Sequence, residues 1–210
     1  MLLTIHPNTP DARRIAQVVQ CLKEGGIIIY PTDTVYGIGC DVTNTKAVEK
    51  ICALKGLDPE RHNMSFICNS ISNITDYARP LNNEVFRMIK NALPGPYTFI
   101  VDANTNIPKS FRNKKKTVGI RIPNNAICMA IVEALGNPLL TTSLKDNDDY
   151  VEYTTNPELI HQKYERLVTM VIDGGIGGVL PSTIIDCTTS PITLVREGAG
   201  NVSNLGIVLA

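Results

Sequence analysis

Apolar residues recur along this chain in two rhythms. Ile15, Val18, Val19 and Leu22 fall three and four apart behind Thr9-Pro10-Asp11, where a threonine cap, a first-turn proline and a first-turn acid open a helix that Gly25-Gly26 stops. The same spacing predicts helices starting near Asn44 (Val48, Ile51, Cys52, ending at Gly56), Asn82 (Val85, Phe86, Ile89), Asn125 (Ile127, Ala130, Ile131, Ala134, ending at Gly136) and Asn156-Pro157. Between them, short β-branched and aromatic runs predict strands over 26–30, 64–68, 97–101, 117–122, 138–143, 168–172, 182–187 and 192–196. Alternating helices and strands predict an α/β arrangement around a mixed sheet. The closing strands, with no helix between them, predict antiparallel additions to it. No internal repeat or low-complexity linker divides the chain, so residues 1–210 are expected to form a single domain.

Composition narrows this picture by exclusion. No apolar run approaches the ~20 residues of a spanning helix, and the start, MLLTIHPNTPDARR, lacks the features of a secretory signal. A soluble, cytoplasmic protein with no membrane partner is expected. Cys21, Cys40, Cys52, Cys68, Cys128 and Cys187 are scattered without a Cys-x-x-Cys pair, which reads as reduced core residues and no metal site. Net charge is zero, but residues 87–121 hold eight basic residues against Asp102 alone, and residues 146–173 hold seven acids against Lys163 and Arg166. Such separation leaves one face able to attract anions.

The standard catalytic motifs are missing. There is no G-x-x-x-x-G-K-[ST], and Gly37-Ile38-Gly39 and Gly174-Gly175-Ile176-Gly177-Gly178 do not lead from a strand into a helix as dinucleotide loops do. His6, His62 and His161 lack metal or nucleophile-base spacing, and no serine sits in a G-x-S-x-G elbow. What recurs instead is a strand end rich in hydroxyls near a basic residue: PTDTVY (31–36), TVGIR (117–121), LTTS (140–143), Ser182-Thr183 and LVREG (194–198). Strand ends of an α/β sheet converge on ligands. Arg121 and Arg196 are suited to clamping a carboxylate or phosphate, with hydroxyls orienting the rest of a small polar anion.

In order, PTDTVYGIG, AxxKG, PGPYTFI, TVGIRIP, PLLTTS, DGG, STIID and VREG resemble the YrdC family over nearly the whole chain. The resemblance implies an α/β (α+β), YrdC/RibB-like fold: a twisted mixed, partly antiparallel sheet flanked by helices. It also implies a nucleotidyltransferase that makes threonylcarbamoyl-AMP from L-threonine, bicarbonate and ATP, with Mg²⁺, for modification of tRNA adenosine 37. Carried over to this sequence, the family pattern makes Lys55 and Arg121 the catalytic cations. Thr32, Thr34, Tyr36, Thr141 and Ser182 would bind the amino acid, with Arg121 also holding it, and Arg61, Asn63, Thr117, Ser143 and Arg196 would face the nucleotide. Such chemistry needs positioning and charge stabilisation and no protein nucleophile.

The chain departs from that pattern in three places. The family's Lys-x-Arg reads Lys55-Gly56-Leu57, its Ser-x-Asn reads Ser143-Leu144-Lys145, and Cys68 takes the place of its histidine. Arg61, His62 or Lys145 would have to restore the lost cation. These departures, with HNMSFIC, RMIKN and TTSL, resemble the YciO branch of the family, so weak activity is expected. Two alternatives remain open: a tRNA- or double-stranded-RNA-binding module using Lys114, Lys115 and Lys116, and an enzyme acting on another small anionic substrate.

Overall fold

A computed structural model describes residues 1–58, 63–111, 116–144 and 154–205. The first third of the chain runs β1 (Leu2–Thr4), α1 (Ala12–Lys23), β2 (Ile28–Tyr30), β3 (Gly37–Asp41) and α2 (Thr45–Lys55). Then come β4 (Ser65–Ile67), α3 (Ile71–Thr75), α4 (Asn83–Ala92), β5 (Tyr97–Asp102), β6 (Thr117–Arg121), α5 (Ala126–Leu135) and β7 (Leu139–Ser143). α6 (Pro157–Tyr164), β8 (Met170–Asp173), β9 (Thr183–Asp186) and β10 (Thr193–Arg196) follow. No helix among the described residues is long and apolar enough to cross a membrane.

Local chemistry explains the helix ends. Asn44, Asn82, Asn125 and Asn156 each accept a first-turn backbone N–H, and Gly56 and Gly136 close α2 and α5 at φ +60° and +80°. α1 starts later than its sequence signal. Asp11 is its cap, while the Thr9 hydroxyl and amide are both engaged with His6 Nδ1. In α4 the buried face is Val85, Met88 and Ile89, and Phe86 is exposed.

Among the described residues ten strands join one sheet, in the order β1-β8-β2-β3-β7-β4-β6-β5-β9-β10. The mixed sheet agrees with expectation, as does the antiparallel pairing of the closing strands β9 and β10, but the closing strands join the rest of the sheet in parallel. β8 is parallel to β1 and β2, and β9 is parallel to β5. Most antiparallel pairs sit inside the sheet, β2 with β3, β3 with β7, β7 with β4 and β6 with β5. β3 hides in a glycine-punctuated stretch because the side chains it lacks are excluded by its neighbours: a Cβ on Gly39 would lie 2.4 Å from the Leu140 carbonyl. β1 and α3 are too short to show a period.

Strand alternation divides the core. Ile38, Cys40, Phe66, Phe99, Val118, Ile120 and Ile185 point to one face and pack with α2, α4 and α6. Ile28, Tyr30, Ile67, Leu139, Met170 and Ile172 point to the other and pack with α1 and α5. Five of the six cysteines are buried, Cys187 is half-buried, and none is in a disulfide. α1 and α5 cover only part of their face. Next to Ile67 and Leu139, the same face continues across Thr141, Ser65, Gly119, Arg121 and Thr98, and there it opens as a groove.

Candidate functional site

Polar residues at alternate positions build the groove floor. Thr141 lies opposite Ser65, Ser65 opposite Gly119, and Arg121 opposite Ile67 at the end of β6. Gly119 keeps the floor low: a Cβ there would meet Ser65 Oγ at 2.3 Å and Thr98 Cγ2 at 3.4 Å. Two connected chambers result, sharing Asn63, Ser65, Thr98 and Ile184. The first, about 100 Å³, is lined by Tyr36, Arg121, Thr141, Ser143, Ser182 and Arg196 among others. The second, about 280 Å³, adds Met64, Ile100, Thr117, Gly119, Asp186 and Val195. Gly119→Ala is therefore expected to narrow the passage between them and to weaken a ligand that spans both by about tenfold or more at an unchanged far-UV spectrum, a loss readable by calorimetry.

The 31–36 loop between β2 and β3 holds Arg121 from behind. Nη2 of Arg121 donates to Asp33 Oδ1 at 2.8 Å and to Thr34 Oγ1 at 3.1 Å, while Asp33 Oδ2 accepts the Asn124 amide at 3.0 Å. Both side chains of this ion pair are about nine-tenths buried, at 10% and 9% exposure. Thr32 ties the loop to itself, accepting the Thr34 amide and donating to the Val35 carbonyl. Thr32 and Thr34 thus form a layer that fixes the guanidinium, and Tyr36 reaches the chamber wall. Arg121 Nε, buried, has no partner among the described residues. A buried donor left open in this way costs about 1–3 kcal/mol, so a site that keeps one is built for an acceptor that arrives from outside.

Around Arg121, hydroxyls are pre-oriented. The Tyr30 phenol, kept protonated chiefly by burial, donates to Thr141 Oγ1 at 2.5 Å, which leaves the Thr141 hydrogen free to point into the chamber. Thr98 and Ser182 share a hydrogen bond at 2.9 Å. Arg196 Nε and Nη2 donate to the Ser182 carbonyl at 3.2 and 2.8 Å. A register shift between Leu194 and Arg196 makes Val195 the extra residue of a β-bulge, so two successive residues both face the groove. Burial, and secondarily the charge of Arg121, push the Arg196 guanidinium below its ordinary value. Two cations facing one chamber are relieved by an anion.

The Gly174–Gly178 loop packs behind Tyr36 and Thr34, and not as an anion nest. Its amides turn inward: Gly174 to the Tyr36 hydroxyl, Gly175 to Asp173 Oδ1, Gly177 to the Thr155 carbonyl and Gly178 to the Thr34 carbonyl. Tyr36 donates in return to the Gly175 carbonyl at 2.7 Å, and burial holds its phenol protonated, with a pKa pushed up to about 12.

Of the sequence-predicted residues, the structure gathers Tyr36, Asn63, Arg121, Thr141, Ser143, Ser182 and Arg196 on the first chamber and Thr117 on the second. Lys55 stands at the edge, its Nζ 3.3 Å from the Leu144 carbonyl, one residue past Ser143. Arg61, His62, Lys114, Lys115 and Lys145 lie outside the described residues. Lys116 is exposed at the rim of a largely apolar pocket that adjoins the second chamber at Thr117. Leu57 packs against the core, and Cys68 is buried with its thiol pushed up to about 12 by desolvation, so neither supplies a cation. The sequence reading missed Tyr30, Asp33, Ser65, Thr98, Gly119 and Asp186. Alternation in β4, β5, β6 and β9 carried the signal for most of them. Among the described residues no three His, Cys, Asp or Glu side chains gather to hold a metal.

A family model for Sua5, YciO and YrdC proteins, described as telomere recombination, matches residues 20–198. The chain is 40% identical over 200 residues to the uncharacterized protein YciO of Escherichia coli (strain K12), covering 94% of this chain and 95% of that one. The crystal structure of E. coli YciO superposes with a TM-score of 0.90 at 38% identity, over 98% of both chains. To the threonylcarbamoyl-AMP synthase of Halorhodospira halophila the chain is 33% identical over 186 residues, 89% of this chain and 92% of that one. The structure of P. abyssi Sua5 complexed with L-threonine shares the fold, with a TM-score of 0.85 at 23% identity over 94% of this chain and 57% of that one.

Proposed function

The chain belongs to the Sua5/YciO/YrdC family, and from that premise we propose that it forms threonylcarbamoyl-AMP from L-threonine, bicarbonate and ATP for modification of tRNA adenosine 37. The observation that carries this reading is the buried, unpartnered Arg121 Nε in a chamber ringed by hydroxyls. The threonine carboxylate is the acceptor it lacks. Thr141 and Ser182 then meet the polar end of the amino acid, and Tyr36, braced from behind by the glycine loop, forms part of the wall.

In the first step the neutral threonine amine and bicarbonate give a carbamate and water. One carbamate oxygen then attacks the α-phosphorus of ATP, and the bond to the β-phosphate breaks as pyrophosphate leaves with its electron pair. Arg196 and Ser143 line the same chamber, and in this reading they meet the phosphate oxygens beside the attack. Magnesium enters as part of the MgATP substrate, held by phosphates and water as is usual for this ion. Leu57 leaves the phosphate grip one cation short of the family pattern, which supports a slow reaction.

The test is pyrophosphate release with and without threonine and bicarbonate, with mass spectrometry for the adenylate. Release that needs both, with an adenylate of the expected mass, is the predicted result. Release indifferent to threonine would move the reading to another small anion in the same chamber. The RNA-binding alternative has no structural observation in its favour among the described residues.

A further inference from the structure

Tyr30 belongs to β2 yet acts two strands away. It points to the face that carries both the α1 and α5 cluster and the groove, and in the strand order β2-β3-β7 it must cross β3 to meet anything on β7. That crossing spans about 9–10 Å, twice the spacing of neighbouring strands. β3 is bare along the path. A Cβ on Gly39 would lie 3.0 Å from Tyr30 Cε1, and one on Gly37 would lie 3.1 Å from the Tyr30 hydroxyl and 3.2 Å from Thr141 Oγ1. Two glycines thus admit one phenol, which ends 2.5 Å from Thr141 Oγ1 on the groove floor.

Burial fixes the direction of that bond. Tyr30 is fully buried, and among the described residues its hydroxyl meets Thr141 alone. Were Thr141 the donor, the phenolic hydrogen would be buried without an acceptor, which is costly. Tyr30 therefore donates, and Thr141 is left to turn its own hydrogen into the chamber that Arg121 also lines. With Arg121 Nε, the chamber then offers two donors for the two oxygens of a carboxylate, whereas a group carrying hydrogens of its own would set donor against donor. We propose that Tyr30, which touches no substrate, is a positioning residue that makes Thr141 an obligate hydrogen-bond donor and so commits the first chamber to a carboxylate ligand. This rests on the adenylate-forming reading, in which that carboxylate is threonine's.

A double-mutant cycle on threonine-dependent pyrophosphate release tests it. Tyr30→Phe keeps the ring and frees the Thr141 hydroxyl to turn. At saturating ATP and bicarbonate the KM for threonine is expected to rise roughly 5- to 20-fold while kcat stays within about twofold, the split that marks lost substrate binding. Thr141→Val removes the donor outright and should raise that KM at least as far. In the double variant the Tyr30→Phe step adds nothing, because no hydrogen is left to orient. An unchanged KM in Tyr30→Phe overturns the proposal. A rise by the same factor in the Thr141→Val background assigns Tyr30 to packing and overturns it too. Either result leaves the adenylate-forming reading standing, since wild-type turnover with threonine is measured in the same series. A wild type indifferent to threonine removes both.

Discussion

Replacing Arg121 with methionine is expected to lower threonine affinity by roughly 30- to 5,000-fold, the factor that corresponds to the 2–5 kcal/mol of a truncated, buried, hydrogen-bonded charge. The same substitution strikes the fold, because Asp33 keeps only the Asn124 amide and becomes a buried carboxylate without its cation. Breaking such a pair costs about 3–5 kcal/mol, whereas replacing both members with apolar residues of similar size is often neutral. The decisive protein is therefore the double variant Arg121→Met, Asp33→Leu, which should melt near wild type and release no threonine-dependent pyrophosphate. If the double variant folds and still turns over with threonine, Arg121 is a structural arginine and the threonine carboxylate binds elsewhere. Asp33→Asn separates the remaining role. It keeps the acceptor for Nη2 but loosens its hold, so the KM for threonine should rise while the melting temperature changes little.

The skeleton of this fold was readable because its signals are local. Asparagine caps, closing glycines and apolar periods locate five of the six helices, and β-branched runs locate eight strands near their observed bounds. β3 was not readable, since Gly37 and Gly39 sit there to admit Tyr30, Thr141 and the Leu140 backbone, a cause that lies in other strands. Strand order was hidden for the same reason: β9 finds a parallel partner in β5, which no pattern near residue 183 announces. The candidate site divides along the same line. Arg121, Thr141, Ser182 and Arg196 stand at strand ends in hydroxyl-rich motifs and were legible. Asp33 reads as one more polar loop residue until the fold brings Arg121 to it across 88 residues of chain. Thr98, inside the apolar run YTFI, reads as a strand former until Ser182 arrives opposite. Val195 and Arg196 share the groove because a bulge breaks the very alternation from which a face would be assigned.

The Gly174–Gly178 loop gives the second large expected effect, through Gly178→Ala. A Cβ at Gly178 would lie 2.4 Å from the Thr34 carbonyl oxygen and 3.1 Å from its carbon, backbone atoms that cannot rotate away. Because the Gly178 amide donates to that same carbonyl, the loop must swing off the 31–36 segment, and the bonds that dock it, Gly177 to Thr155 and Tyr36 to Gly175, are strained with it. Little core packing opposes the swing, since Ile176, Val179 and Leu180 are already exposed. At about 1 kcal/mol per hydrogen bond, a modest fall in melting temperature is expected. The functional loss should be larger, because Thr34 also holds Arg121 through its hydroxyl. The KM for threonine is expected to rise by more than about tenfold while ATP binding stays close to wild type. Tyr36→Phe, which removes the two bonds its hydroxyl makes with Gly174 and Gly175 and adds no clash, should shift the same KM by a smaller factor. Steady-state kinetics at saturating ATP read both. If Gly178→Ala raised the KM for ATP instead, the loop would guard the nucleotide end, and the direction of the substrates along the groove would be reversed.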